Sequence, residues 1–225
     1  MLDILDKYDV LGAFWMTIKL TFFSAIGALV LGTVLAVMRV APVAILRRLG
    51  AFYVNTVRNT PLTLILVFCS LGLLYILQLN LADPSSSTSI VDNNIRWAIV
   101  GLAAYHAAFV CEALRSGVNT VPVGQAEAAR SIGLTFTQSL RNVILPQAFR
   151  GSIAPLGSVL IALTKNTTVA SIIGVAEASG LMKEIIENET ASVAVFFVFA
   201  LGFVILTLPV GILFTSLSRR LAVKR

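Results

Sequence analysis

Residues 124–148 read GQAEAARSIGLTFTQSLRNVILPQA, a polar and basic stretch between two strongly apolar segments. Good helix formers after Pro122 predict the start of a short helix at about residue 124. Gly133 lacks a Cβ and suits a tight helix end with a positive φ. A second amphipathic segment, from Phe136 to Leu145, is expected to stop at Pro146. The stretch is therefore predicted to fold as helix, turn and helix, either as a plain surface segment on a membrane or as a docking element for another protein.

The composition on either side of this stretch is that of a membrane protein. The chain has 225 residues, of which 57% are hydrophobic and 12% are charged, whereas soluble chains carry roughly 25% charged residues. The apolar residues come in blocks of about 20, the length that a helix needs to cross a bilayer. The net charge of +6 is explained by basic cytoplasmic loops, so we expect no nucleic-acid partner.

The apolar blocks predict an all-α membrane protein with five transmembrane helices and one domain over residues 1–225. The loop that joins the third and fourth spans covers about residues 115–150, and residues 83–94 form a turn-rich polar loop. The spans are expected at about residues 11–40, 49–81, 97–114, 152–175 and 191–217.

The distribution of Lys and Arg predicts the orientation. Twelve of the 17 basic residues fall on one side of the membrane, in residues 39–58, 115–150 and 219–225. The other side holds Lys7, Arg96 and Lys183, together with nine of the eleven acidic residues. The positive-inside rule then places the N-terminus outside and the C-terminus in the cytoplasm.

Several kinds of chemistry have no motif in this sequence. The only histidine, His106, lies within a span, and no cluster has metal-ligand spacing, so we expect no metal site. We interpret His106 as a packed residue that hydrogen-bonds across helices. The dipeptide Gly-Lys never occurs, which excludes the phosphate-binding loop that contains it. We expect no catalytic residues and an energy source outside this chain.

The spacing within the opening stretch resembles a known signature. Glu127-Ala128-Ala129, three further residues, Gly133, eleven further residues and Leu145-Pro146 look like the cytoplasmic EAA loop of ABC importer permeases. The likeness covers about residues 10–217 and extends to the polar amino-acid uptake branch of that family. It is carried by Arg58-Asn59-Thr60-Pro61-Leu62, Glu112-x-x-Arg115-x-Gly117, VPVGQAEAARSIG, LPQAFR, Pro155, Lys165-Asn166-Thr167-Thr168 and Glu177.

This resemblance implies a type I ABC importer transmembrane domain in the bacterial cytoplasmic membrane, with a coupling helix in the EAA loop. Its implied partners are a pair of ATPase subunits, a second permease and an extracytoplasmic substrate-binding protein. ATP and Mg would be bound by the ATPase, and no cofactor by this chain. Glu127 would anchor the loop through charge-assisted hydrogen bonds. The residues that the resemblance assigns to ATPase coupling are Gly124, Glu127, Ala128, Ala129, Gly133, Leu145 and Pro146.

The charges within the spans are candidates for the substrate pathway, because charges in a membrane are costly and usually functional or paired. Arg58 and Lys165 could meet a carboxylate of the substrate. The alternatives are a cytoplasmic anchor for Arg58 and an ion pair with Glu177 or Glu112 for Lys165. The full set of pathway candidates is Arg58, Asn59, Thr60, Pro61, Lys165, Thr167, Thr168 and Glu177.

Two further residues are expected to brace the loop. Glu112 and Arg115 are three positions apart and can pair on one helical face. The family's Lys run usually continues as Asp-Thr-Ser, whereas Asn166-Thr167-Thr168 stands here and lacks the carboxylate. Cationic pathway residues without that carboxylate favour an acidic or neutral amino acid, such as glutamate or glutamine.

Two other classes of protein stay open at this point. A stand-alone secondary transporter or channel would need an ion relay, for which only Lys165, Glu112 and His106 are candidates. A membrane enzyme would need a nucleophile or metal constellation. Whether the second permease is another copy of this chain or a sister chain is also open.

Overall fold

The computed structural model describes residues 7–189 and 192–221 of the chain. All the regular secondary structure over these residues is helical. The helices are α1 (Val10–Val40), α2 (Ala44–Arg58), α3 (Leu62–Val67) with a π-helix at Phe68–Ile76, α4 (Ser89–Asn119), α5 (Val123–Ser131), α6 (Phe136–Ser139) with a π-helix at Leu140–Ile144, α7 (Leu145–Asn166) with a 3-10 helix at Thr167–Ile173, α8 (Ala178–Asn188) and α9 (Ser192–Leu221). The predicted all-α fold is confirmed.

Within the described residues, four helical stretches are long and apolar enough to cross a membrane on their own. They are Val10–Val40, Ser89–Asn119, Thr137–Ile173 and Val193–Leu221. A 31-residue helix such as α1 is about 46 Å long, which exceeds the roughly 30 Å of a hydrocarbon core. The bent pair α2 and α3 gives a fifth span if it is counted as one.

That second span, predicted as one block over 49–81, is broken in the structure. Ala44–Arg58 and Leu62–Ile76 meet at an angle of 102°. Pro61 lies in the break, and a proline disfavours helical geometry in the residue before it. The side chains of Asn59 and Thr60 donate hydrogen bonds to the carbonyls of Asn55 and Thr56, at 2.7 and 2.9 Å. These bonds satisfy carbonyl groups that the end of α2 leaves open.

Helix α4 is longer than the predicted span 97–114, because residues 89–94 are helical and do not belong to the polar loop. Their polar side chains are used inside the protein. Buried Asn93 accepts hydrogen bonds from the backbone N–H groups of Leu81 and Ala82, at 2.6 and 3.0 Å. Buried Asn94 accepts one from the Ser70 hydroxyl at 2.9 Å. Asn93 fixes the preceding loop to α4, and Asn94 fixes the π-helix Phe68–Ile76 to it. The two asparagines do not form a turn of their own.

Pro146 does not end a helix, contrary to the prediction. It lies in the first turn of α7, after the π-helix Leu140–Ile144. The Leu145 N–H donates to the carbonyl of Leu140, five residues back. Proline has no N–H to donate and its ring would clash with the carbonyl four residues back in a regular α-helix, so a wider π turn suits the position before it. The wide turn before Pro146 therefore lets the polypeptide pass from the EAA loop into the fourth span as one helical stretch.

Helix α4 is the centre of the fold, and α1 and α7 pack most extensively against it. A buried cluster of Leu20, Leu102 and Ala170 joins α1, α4 and the 3-10 helix. At the other end of α4, a Cβ on Gly117 would collide with the Ala148 carbonyl oxygen. The absence of a side chain at Gly117 thus lets α4 and α7 approach closely at the base of the EAA loop.

The starts of α1 and α9 lie at the same end of the molecule. Lys7 Nζ is 2.7 Å from Glu189 Oε1, and this hydrogen bond and charge hold the pKa of the Glu189 carboxyl below its usual value. Because α9 then runs for 30 residues, its C-terminal end lies at the opposite face from the start of α1. This agrees with an odd number of spans, and the predicted assignment of these faces to the outside and the cytoplasm stays a prediction.

Candidate functional site

The EAA loop, residues 115–150, presents a short helix followed by a tight turn. Pro122 is the N-cap of helix α5, with an extended backbone at φ −58° and ψ 137°, and the first helical residue is Val123. Gly133 has a φ of +82°, in the left-handed region where glycine carries no Cβ penalty. Both the predicted helix near residues 124–131 and the predicted positive φ at Gly133 are confirmed.

Gly133 closes the helix through two backbone hydrogen bonds. Its own N–H donates to the Arg130 carbonyl at 3.0 Å, and the Leu134 N–H donates to the Ala129 carbonyl at 3.1 Å. This pair of bonds is the Schellman arrangement, which satisfies carbonyls that a helix end would leave open. The direction in which the chain leaves α5 is therefore set by the backbone angles at one residue.

The next helix, α6, is started by a reciprocal pair that we did not predict from the sequence. The Gln138 N–H donates to Thr135 Oγ1 at 3.3 Å, and the Thr135 N–H donates to Gln138 Oε1 at 2.9 Å. Thr-x-x-Gln is a capping box, so the signal was present in the sequence. The turn between α5 and α6 is thus fixed from both sides.

The EAA triplet presents two different faces. Glu127 and Ala128 are exposed, whereas Ala129 is buried and belongs to the helix end that Leu134 closes. At the two ends of this helix, Val123 and the C-cap residue Ile132 are 74% and 77% exposed. A carboxylate between exposed apolar side chains on a largely exposed helix is a surface suited to contact with another protein.

Glu112 is the centre of a charge cluster that joins three helices. Arg39 of α1 donates to Glu112 Oε1, Arg115 lies 3.4 Å from both carboxylate oxygens, and Arg58 of α2 lies 3.8 Å from Oε1. The predicted pairing of Glu112 with Arg115 is present. The sequence did not indicate that Arg39, 73 positions away, would be the closest partner.

Arg58 is joined to the fourth span through a row of side chains on α4. Its guanidinium lies 5.6 Å from the centre of the Phe109 ring, and that ring lies 6.1 Å from the His106 ring. His106 Nε2 is 3.1 Å from Asn166 Nδ2, next to Lys165. The predicted hydrogen bond of His106 across helices is confirmed, and the row joins Arg58 to Asn166, the neighbour of Lys165 in sequence.

The protonation of His106 follows from its partners. Nδ1 lies 2.9 Å from the Leu102 carbonyl, which only accepts, so Nδ1 carries the hydrogen. Nε2 then accepts from the Asn166 amide. Both ring nitrogens are occupied by a structural hydrogen bond, which fits a packed residue better than a member of an ion relay.

The remaining pathway candidates lie in two environments. Lys165 is exposed on the isolated chain and Thr168 is half-buried, its hydroxyl bonded to the Lys165 carbonyl at 2.8 Å. Thr167 is fully buried and bonds to the Thr164 carbonyl at 2.8 Å. Glu177 is fully buried too, and it accepts from the N–H groups of Ser179 and Gly180, each at 2.8 Å. Glu177 thus caps α8, and no ion pair with Lys165 is formed among the described residues.

Several apolar spans, with a short exposed helix and a fixed turn between the third and the fourth, define a multi-pass membrane protein. The comparisons with known proteins agree with that class. The family described as "binding-protein-dependent transport system inner membrane component" matches residues 28–223. The chain belongs to this family, and it is therefore a multi-pass transport subunit of the inner membrane and not an enzyme.

Individual relatives are similar over nearly the whole chain. The glutamate transport system permease protein GluC of Corynebacterium glutamicum is 60% identical over 218 residues, which are 96% of each chain. The probable glutamine ABC transporter permease protein GlnM of Bacillus subtilis is 35% identical over 96% of this chain and 95% of its own. A crystal structure of an amino acid ABC transporter with histidines matches with a TM-score of 0.84 and 27% identity, over 97% of both chains.

Proposed function

We propose that this chain is the permease subunit of an ATP-driven importer of glutamate. The observation that carries the proposal is the 60% identity, over 96% of both chains, to a glutamate transport system permease. The cationic pathway candidate Lys165 is exposed on the isolated chain and forms no ion pair among the described residues, which supports an anionic substrate. Membership of a binding-protein-dependent family argues against the stand-alone transporter or channel.

We further propose that the EAA loop docks on a pair of ATPase subunits, which bind the ATP and Mg that this chain does not. The exposure of Glu127 and Ala128 on α5, beside exposed Val123 and Ile132, supports this contact. A second permease, identical or a sister chain, completes the pathway, and an extracytoplasmic binding protein delivers the substrate. The N-terminus lies outside and the loop in the cytoplasm, as the positive-inside rule predicts.

Reconstitution tests the substrate and the energy source together. The chain is co-expressed with the ATPase and binding protein of its system, purified through a tag on the permease, and placed in proteoliposomes with labelled glutamate outside and ATP inside. We expect the ATPase to co-purify and ATP-dependent uptake that unlabelled glutamate abolishes and unlabelled arginine does not. Preferential competition by arginine or glutamine would contradict the glutamate proposal, and a permease that purifies only with itself would contradict the importer.

Lys165 provides a test of the substrate pathway. We expect Lys165→Met to raise the glutamate concentration required for half-maximal stimulation of ATP turnover by about tenfold to a hundredfold, because a charge-assisted hydrogen bond to a carboxylate contributes roughly 1.5–3 kcal/mol. Lys165→Arg keeps the charge and should have a much smaller effect. ATP turnover is measured against glutamate concentration in proteoliposomes for the wild type and both variants. If the Met variant follows the wild-type curve, Lys165 does not contact the substrate.

A further inference from the structure

A long apolar groove runs along the boundary between α1 and α7. Its lower part, at the end nearer the EAA loop, has a volume of about 450 Å³ and is lined by side chains such as Val37, Val40, Leu114 and Phe149. Its upper part, of about 500 Å³, lies between α1, α7 and α9. Leu29 lines both parts, so the two parts adjoin along α1.

The walls of this groove are apolar apart from Arg115 and four hydroxyl side chains. Each hydroxyl donates to a carbonyl of its own helix. Thr21, Thr33, Ser152 and Thr164 bond to the carbonyls of Thr17, Leu29, Phe149 and Leu160, at 2.9, 2.6, 2.8 and 2.9 Å. A ligand in the groove would therefore find no hydroxyl hydrogen free to donate. An extended peptide segment would leave its backbone groups unsatisfied there, whereas an acyl chain has no polar group to satisfy.

The lower mouth of the groove is cationic. Arg115 lines it, and its guanidinium is only loosely held, at 3.4 Å from Glu112, whose closest partner is Arg39. One carboxylate faces three guanidinium groups in this cluster, so two positive charges are left without a partner in it. An anion at the mouth would neutralise part of this excess.

We propose that the groove binds an anionic phospholipid from the leaflet at the basic end of the molecule, with an acyl chain along α1 and the phosphate at Arg115. Val37 and Val40, near the mouth, are 61% and 52% exposed at the end of a helix longer than the hydrocarbon core. This places Arg115 near headgroup level, where basic pockets between membrane helices meet anionic headgroups. Lys165 does not line the groove, and the proposal does not depend on glutamate as substrate.

A second copy of this chain fits the groove less well. A symmetric contact places the same patch of both copies against each other, and would bring two clusters with excess positive charge together. Like charges disfavour that arrangement, whereas a phosphate is attracted by both the charge and the hydrogen-bond donors of Arg115.

The test uses the intact transporter, permease with ATPase, purified in mild detergent and supplied with equal amounts of phosphatidylglycerol and phosphatidylcholine. Native mass spectrometry counts the lipids that stay bound. We expect wild type to retain phosphatidylglycerol in preference, and Arg115→Gln to reduce that preference about fivefold, the effect of removing one basic residue from an anionic lipid surface. Val37→Trp, which fills the groove, should lose both lipids.

Two control variants separate the groove from general surface effects. Val34→Trp adds the same ring to a residue of α1 that is 51% exposed and does not line the groove, and Arg48→Gln removes an exposed charge elsewhere at the basic end. Both should retain lipid as wild type does. The proposal is overturned if wild type shows no preference for phosphatidylglycerol, or if Arg115→Gln and Val37→Trp both keep it. Disulfide formation between two Val37→Cys permeases in membranes would show that a second copy covers the groove instead.

Discussion

Gly133→Val should abolish glutamate uptake while the permease still inserts into the membrane. Gly133 has a φ of +82°, and for a β-branched residue that backbone conformation costs on the order of 1–3 kcal/mol. A cost of this size at the end of α5 breaks the two hydrogen bonds that close the helix, from Gly133 to Arg130 and from Leu134 to Ala129. Helix α5 would then leave the loop in another direction, and the proposed contact with the ATPase would be lost.

The backbone angle and not steric crowding is the cause of this expected effect. No atom lies within 4 Å of the position that a Cβ at Gly133 would occupy. Gly133→Asn therefore makes a matched control, since asparagine is larger than alanine but tolerates the left-handed region. We expect Gly133→Asn to keep most of the uptake, and the difference between Val and Asn at one position isolates the backbone effect.

Three measurements on the same membranes test this prediction. The amount of inserted permease should equal wild type in both variants, the co-purified ATPase should fall in Gly133→Val only, and ATP-dependent uptake should follow the co-purified ATPase. Normal uptake by Gly133→Val would contradict the assignment of the EAA loop to coupling. Loss of the permease from the membrane would instead show that the turn is needed for folding.

The helix positions that depend on the preferences of neighbouring residues could be predicted from the sequence. Apolar residues over 11–40 predicted α1, found at Val10–Val40, and Pro122 with Gly133 predicted both ends of α5. These predictions depend on backbone preferences of one or two residues, which neighbouring helices do not change. The capping box at Thr135 and Gln138 is of the same kind and could have been predicted.

The elements that were predicted wrongly depend on contacts between distant segments. Residues 89–94 look like a turn because asparagine and aspartate favour turns, yet Asn93 and Asn94 bond to residues of the preceding loop and π-helix. Pro146 looks like a helix stop, and only the wide turn before it lets the helical stretch continue. The 102° bend at Pro61 was marked by a proline, but its size depends on how α2 and α3 each pack against α4.

The charge cluster shows the same limit within the candidate site. The three-residue spacing of Glu112 and Arg115 could be read from the sequence. The approach of Arg39 and Arg58 could not, because it depends on the crossing of α1 and α2 with α4. The structure thus extends the predicted brace of the EAA loop into a cluster that ties α1, α2 and α4 together just before the loop begins.

Glu112→Gln should destabilise the permease and reduce uptake more than the removal of any one of its arginine partners. The substitution leaves three guanidinium groups without their common carboxylate. Loss of one partner from a buried pair costs roughly 3–5 kcal/mol. The Glu112 side chain is 31% exposed, and solvent screening lowers the expected cost to about 1–3 kcal/mol.

Double-mutant cycles assign this effect to individual pairs. The coupling energy of two residues is the part of the double variant's effect that the single variants do not account for. Arg39 is the least exposed partner, at 14%, against 32% for Arg115 and 44% for Arg58, and it makes the closest contact. We therefore expect coupling to Glu112 to decrease from Arg39 to Arg115 to Arg58, with each arginine replaced by glutamine.

The order of these couplings separates a structural cluster from a simple helix-surface pair. The measurement is the thermal unfolding midpoint of the purified complex for the single and double variants, at low and at high salt. If Arg115 has the largest coupling, the pair within α4 is what matters and α1 is not tied to the loop through Glu112. If Arg39 has the largest coupling and high salt weakens it least, as its burial requires, then α1 is held to the base of the EAA loop chiefly through the Arg39–Glu112 pair.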